Sequence, residues 1–228
     1  MEGKGINMSK IVQIAELSVY GEEDEVLLEN LSFTVDRGKI AQVAGLTELQ
    51  YSTLFDVLTG ELTPDSGQVV LDDRNIVRLS REKRKMMLRE EVSFLPRDFV
   101  LPEKKTVLGA LKFKLEITGK PPDFQERLEN TLRLTGLSGD KDINPGEGSE
   151  VLRAKTGLAL SIVNNPNLLV CHKPFVGLNS KETESIIEIL EEIKSQKDIS
   201  SLLLTGEIPN NPEGVEVIES NLDSRVIS

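Results

Sequence analysis

The stretch Lys39-Ile-Ala-Gln-Val-Ala-Gly-Leu-Thr-Glu-Leu-Gln-Tyr-Ser-Thr-Leu-Phe-Asp-Val-Leu-Thr59 decides the fold of this 228-residue chain. Lys39 to Ala44 is a short apolar run that suits a buried strand, Gly45 is a turn residue, and Leu54, Val57 and Leu58 within Ser52 to Thr59 have helical spacing. Strand, tight turn and helix in that order open a phosphate-binding α/β unit. On its N-terminal side, Ile11 to Val19 and Leu31 to Val35 are β-prone and flank the acidic loop Gly21 to Glu25, which predicts an antiparallel hairpin. On its C-terminal side, the turn Thr63-Pro-Asp-Ser-Gly67 precedes an extended segment, Gln68 to Leu71.

Further along, the basic segment Arg78 to Arg89 reads as the exposed face of a helix beside an acidic body. From Thr106 to Leu137 the apolar positions Val107, Leu108, Leu111, Leu115, Leu128 and Leu132 keep helical spacing, with a stop at Gly136, which predicts an inserted helical unit. After the break Asn144-Pro-Gly-Glu-Gly148 come a helix over Ser149 to Val163 and a short strand, Leu168 to Cys171. A helix from Ser180, with its apolar stripe at Ile186, Ile187, Leu190 and Ile193, leads to a last buried strand, Ser201 to Thr205.

Composition narrows the function classes. Lys and Arg number 27 against 38 Asp and Glu, a formal charge of −11, so the chain lacks the positive field that phosphate backbones or anionic lipid would demand. Nucleic acid is thereby disfavoured as a partner. Aromatics make up only 4%, with no Trp, and the core must be built from Leu, Ile and Val. The single cysteine, Cys171, excludes an intramolecular disulfide, and the single histidine, His172, argues against a histidine-rich metal site. A joint Cys171–His172 site is disfavoured too, because adjacent strand residues face opposite sides of a sheet. No apolar run approaches the ~20 residues that span a bilayer, and Met1 to Lys10 has no apolar signal core, so a cytoplasmic protein is expected.

Several phrases carry a family likeness: Leu62-Thr-Pro-Asp-Ser-Gly-Gln-Val69, Leu79-Ser-Arg81, Asp98-Phe-Val-Leu101 with Thr106-Val107, and Asn164-Asn-Pro-Asn-Leu-Leu-Val170 with Pro174. From about Ile11 to Val226 the chain resembles an ATP-binding cassette (ABC) ATPase subunit, most like the branch serving lipoprotein release, macrolide efflux and cell division. The resemblance implies an α/β, P-loop NTPase-like cassette with a mainly parallel core sheet, an N-terminal antiparallel β subdomain and an inserted α-helical subdomain. It implies one domain over 1–228, with core and β subdomain at 10–95 and 165–228 and helical subdomain at 96–164.

The family's functional motifs are altered here. A phosphate loop GxxGxGK(S/T) uses glycines to let backbone N–H groups reach phosphate and a Lys to neutralise it. Only Gly45, Ser52 and Thr53 match it; Glu48 and Gln50 stand where glycines belong and Tyr51 where the Lys belongs. His172 replaces the Asp that organises Mg²⁺, Lys173 replaces the Glu that polarises water, and Gly206 stands at the switch histidine. Arg97 takes the place of the glutamine, and Ser149, Glu150 and Val151 lie in the signature. Tyr20 is placed to stack on adenine or simply to pack. Losing one phosphoryl-stabilising group costs ~10²–10³ in rate, so the joint losses predict no useful hydrolysis.

The expectation is therefore a catalytically inactive ABC subunit, not an enzyme, that serves a transporter-like membrane complex as a structural or regulatory part. It would hold no metal and no cofactor beyond weak ATP binding without Mg²⁺. Its partners would be a membrane permease subunit, an active ABC ATPase, or both, in a homo- or heterodimer peripheral to the inner face of the cell membrane. The alternatives are a weakly active or partner-dependent ATPase subunit and a transporter-independent scaffold. Arg97, Phe99, Val100 and Leu101 map to the partner groove, although the apolar three could equally be core. Glu48 and Glu150 lie where phosphates would approach helix N-termini, and they either occupy those anion sites or act as ordinary first-turn residues.

Overall fold

The computed structural model describes residues 9–102, 104–206, 208–210 and 212–220. The stretch up to Met8 and the end of the family likeness near Val226 lie outside them.

Strands β1 (Lys10–Tyr20) and β2 (Val26–Asp36) form the expected hairpin, joined by a short 3₁₀ turn at Glu22–Asp24. Strands β4 (Ser66–Leu71) and the two-residue β5 (Arg74–Asn75) complete an antiparallel sheet of order β2-β1-β4-β5. Between the hairpin and β4 run β3 (Ile40–Ala44) and helix α1 (Glu48–Thr59). Helix α2 (Arg81–Glu90) carries the basic segment, and Arg81, Lys83 and Lys85 on it are exposed, as expected of a solvated face.

The second sheet is wholly parallel, in the order β6-β7-β8-β3-β9. It combines β3 with β6 (Val92–Leu95), β7 (Leu168–His172), β8 (Ser200–Leu204) and β9 (Val215–Glu219). Every residue of β7 and β8 is buried, the pattern of a strand covered on both faces. Leu168, Val170, Leu202 and Leu204 pack with Leu54, Phe55 and Leu58 of α1, whose other side meets Ile11, Leu17, Leu28 and Val35 of the antiparallel sheet. Alternate residues Leu169, Cys171 and Leu203 face helices α5 (Glu150–Ile162) and α6 (Ser180–Lys197). Helices α3 (Val107–Ile117) and α4 (Phe124–Leu134) join α5 in a separate cluster around Leu111, Leu115, Leu128 and Ala159.

The expected fold class holds: a parallel core sheet, an antiparallel β unit and an inserted helical unit. The sequence patterning predicts none of the three strands β5, β6 and β9, and α1 begins at Glu48 rather than Ser52. The earlier start has a local cause. Thr47 and Gln50 form a capping box, in which the Thr47 side chain accepts the Gln50 N–H (3.3 Å) and the Gln50 side chain accepts the Thr47 N–H (2.9 Å).

Candidate functional site

Ligands of open α/β sheets bind beyond the carboxyl ends of the strands, and that end here carries a cleft of about 440 Å³. Each wall follows one parallel strand. Arg97 comes after β6, Lys173 after β7 and Thr205 with Gly206 after β8, while Glu48 opens α1 after β3; Phe175, Val176, Leu178 and Pro209 make an apolar rim. Of the predicted site residues, the fold thus brings together Glu48, Arg97, Lys173 and Gly206.

Lys173 is the fixed point of this cleft. Its backbone is left-handed (φ +51°), its N–H donates to the Leu204 carbonyl (3.0 Å), and its side chain is only 9% exposed. The ammonium pairs with the Glu48 carboxylate and lies 5.9 Å from the centre of the Tyr51 ring. Arg97 approaches the same carboxylate oxygen at 3.8 Å. One carboxylate at the first turn of α1 therefore answers two cations.

Tyr51 is a buried brace. Its hydroxyl lies within hydrogen-bond reach of the carbonyls of Val43 (3.1 Å) and Thr205 (3.0 Å), so its one hydrogen ties α1 to the ends of β3 and β8. Burial pushes its phenol pKa up. Beside it the Gln42 amide donates to the carbonyl of Gly206. A Cβ at Gly206 would meet nothing within 4 Å, so this position opens onto the cleft.

The remaining residues with a family counterpart do not line the cleft. Gly45 adopts φ +79°, which suits a glycine turn. The hydroxyls of Ser52 and Thr53 donate back to the carbonyls of Glu48 (3.1 Å) and Leu49 (2.9 Å) within α1. Gln50 is engaged in the capping box. Tyr20, partly exposed at the end of β1, donates its backbone N–H to Asp65 (2.9 Å). In the signature segment Ser149 caps α5 by accepting the Leu152 N–H (3.2 Å), Glu150 pairs with Arg153 (3.7 Å), and Val151 is half-buried.

His172 and Cys171 face opposite sides of the sheet. The imidazole stacks on Phe55 with ring centres 5.0 Å apart, and its buried Nε2 has no hydrogen-bond partner. Burial lowers its pKa, against the pull of Asp56. Burial also pushes the Cys171 thiol up, which leaves it un-ionised.

The donor set fits phosphate oxygens and not Mg²⁺. Among the described residues the cleft has one carboxylate, which is committed to two cations, and no group of three or more His, Cys, Asp or Glu could hold a metal ion. Lys173 and Arg97 would hold phosphate oxygens once Glu48 turns aside.

A second, more apolar groove of about 220 Å³ runs between β6 and helices α3 and α5. Phe99 and Val100 line it together with Phe113 and Ile117, whereas Leu101 is buried and Arg97 belongs to the cleft. Phe99 is seated against Gly157, where a Cβ would come within 2.7 Å of the ring.

Comparison with known proteins gives these features a context. A family described as "ABC transporter" matches residues 28–176. The Methionine import ATP-binding protein MetN of Carboxydothermus hydrogenoformans is 30% identical over 199 residues, 87% of this chain and 59% of that protein. The MetN of Geobacillus kaustophilus is 31% identical over 203 residues, 88% of this chain and 57% of its own length. The chain thus spans less than three fifths of these relatives. Among solved structures, cbiO1 from Clostridium perfringens, part of the ABC transporter complex cbiONQ, superposes with a TM-score of 0.81 at 24% identity and covers 94% of this chain and 88% of that one.

These relatives overturn the expectation of a catalytically inactive chain that is no enzyme: they are named for ATP binding in methionine import. The physical reason lies in where charge comes from. Substitutions at positions 51, 172, 173 and 206 together suggest an emptied site, but the fold brings Lys173 from the end of β7 and Arg97 from beyond β6 to the mouth of α1.

Proposed function

This chain belongs to the ABC transporter family, and from that premise we propose that it is an ATP-binding, partner-dependent ATPase subunit of a membrane importer. The observation that carries the reading is the convergence of Lys173 and Arg97 on the first turn of α1, at the carboxyl ends of the parallel strands. Two cations there can neutralise phosphate oxygens as charge-assisted donors. Among the described residues the cleft holds no carboxylate free to act as a base, so hydrolysis would need a second cassette and be a property of the complex. The import names of the relatives favour an importer over the lipoprotein-release, macrolide-efflux and cell-division branch that Leu62 to Val69 and its companion phrases suggested.

The same reading assigns Phe99, Val100, Phe113 and Ile117 to a permease contact at the groove between β6 and the helical unit, with the subunit held peripherally on the cytoplasmic face. An apolar groove whose lining includes Val100, 88% exposed, supports this. Among the described residues no helix is long and apolar enough to cross a membrane. ATP turnover tests the proposal. Purified alone, the chain should hydrolyse ATP at background rate; assembled with its permease and partner cassette it should raise turnover above that of the complex lacking it. Equal turnover with and without this chain would overturn the reading.

A further inference from the structure

The ion triad in the cleft is asymmetric. Lys173 is nearly buried, its backbone is pinned to Leu204, and its ammonium lies 5.9 Å from the centre of the Tyr51 ring, whose hydroxyl shares one hydrogen between the Val43 and Thr205 carbonyls. Glu48 is the opposite: its side chain is 78% exposed and sits at the start of α1. An ammonium so deeply buried is costly to leave without a counter-ion, whereas an exposed carboxylate loses little by turning into water. Glu48 can therefore leave only when another anion arrives, and the exchange favours an anion that satisfies Lys173 and Arg97 together.

We propose that Glu48 is a displaceable internal stand-in for phosphate, a latch that Lys173 and Arg97 release to a polyphosphate without the help of a divalent ion. The inference rests on the ATP-binding reading above and adds to it the residues that recognise the phosphates and the order of events. A phosphate group carries more charge than a carboxylate and offers several oxygens, so one group bridges the two cations that Glu48 now shares. The cleft's roughly 440 Å³ leaves space for a diphosphate beyond the ion triad. Two N–H groups of the α1 N-terminus, those of Thr47 and Gln50, are already taken by the capping box, which puts recognition on side-chain cations rather than on the loop backbone. A divalent ion on the ligand would cancel charge that Lys173 and Arg97 are placed to meet, so the metal-free polyphosphate binds more tightly than its Mg²⁺ complex.

Calorimetric titration of the full chain with inorganic pyrophosphate, and with ATP in chelator or in excess Mg²⁺, tests this. Glu48→Gln should bind pyrophosphate about tenfold more tightly than the parent, the scale of one charge-assisted contact, and Lys173→Met at least about tenfold more weakly. Arg97→Gln, at the more exposed cation, falls between the parent and Lys173→Met. Circular dichroism melts establish that each variant is folded, and Glu48→Gln, at an exposed position, keeps the test open if Lys173→Met does not fold. Glu48→Gln binding no tighter than the parent, or ATP binding that requires Mg²⁺, overturns the latch. If the latch titrations succeed while the assembled complex gains no ATP turnover from this chain, the subunit reading falls and the latch stands. If turnover is gained but Glu48→Gln leaves pyrophosphate affinity unchanged, the latch falls alone.

Discussion

His172 and Tyr51 are the two positions where a motif reading sees only a missing Asp and a missing Lys, yet each has a structural occupation. Tyr51 closes the base of the cleft through its shared hydrogen bond, a contact that no spacing rule reveals because its acceptors lie 8 and 154 positions away. His172 is stacked on Phe55 with one nitrogen unpartnered, and burial holds its imidazole below the ordinary value despite Asp56; Arg97 adds to the lowering and Asp98 opposes it. The folded protein thus binds this proton less readily than the unfolded chain. His172 contributes stability that is complete above the unfolded pKa of about 6.5 and lost as pH falls below it. Urea denaturation between pH 8 and 5 should show the parent losing stability across that window and His172→Gln losing less. Asp56 works in the other sense, since burial raises its pKa, so the difference between parent and variant is the quantity that isolates the histidine. Identical slopes for the two proteins would show that the imidazole does not titrate with folding.

At the level of elements, most of the fold was readable because its core helices and strands have clean apolar periods. The exceptions are instructive. Strand β6 is only four residues long and follows an acidic helix end, and β9, Val-Glu-Val-Ile-Glu, is a half-exposed edge strand beside β3, so neither presents the continuous apolar run that marks β7 and β8. Apolar periodicity misses the first turn of α1 because Glu48 to Gln50 show no apolar stripe, whereas the capping box acts through side-chain hydrogen bonds. The turn at Gly67 was legible as a turn but not as a packing constraint. Gly67 adopts φ +97° against a bulge in β1 where Glu16 is itself left-handed, and a Cβ there would come within 2.5 Å of the Glu16 carbonyl oxygen and 2.6 Å of the Leu17 Cα. Both obstacles are backbone, so neither can rotate away. Gly67→Ala should destabilise the protein by more than about 1 kcal/mol in chemical denaturation, beyond what a left-handed alanine alone costs. An unchanged midpoint would mean that the β1–β4 pairing can slide to make room.

Over the whole molecule, the charge of −11 is unevenly spent. Cations gather on α2 and in the cleft, while the groove between β6 and the helical unit is apolar at its centre, with Val100 and Ile117 exposed and Phe99 seated over Gly157. The sequence placed Phe99, Val100 and Leu101 in one candidate patch, and it could not separate them because all three are apolar neighbours. The fold does so by turning Leu101 into the core and Val100 into solvent. That separation allows a test that leaves the fold alone. Val100 is 88% exposed, so Val100→Asp should change the unfolding free energy by no more than an ordinary surface substitution, about 0.5 kcal/mol. A carboxylate set in the centre of an apolar contact must be desolvated without a partner, and truncating or charging such anchors commonly costs upwards of about 2 kcal/mol of binding. Co-purification with the permease subunit should therefore drop by more than tenfold for Val100→Asp while the melt is unchanged. If the variant still co-purifies as the parent does, the permease contact lies elsewhere on this surface, and the apolar groove is left as a seam between the core and its helical unit.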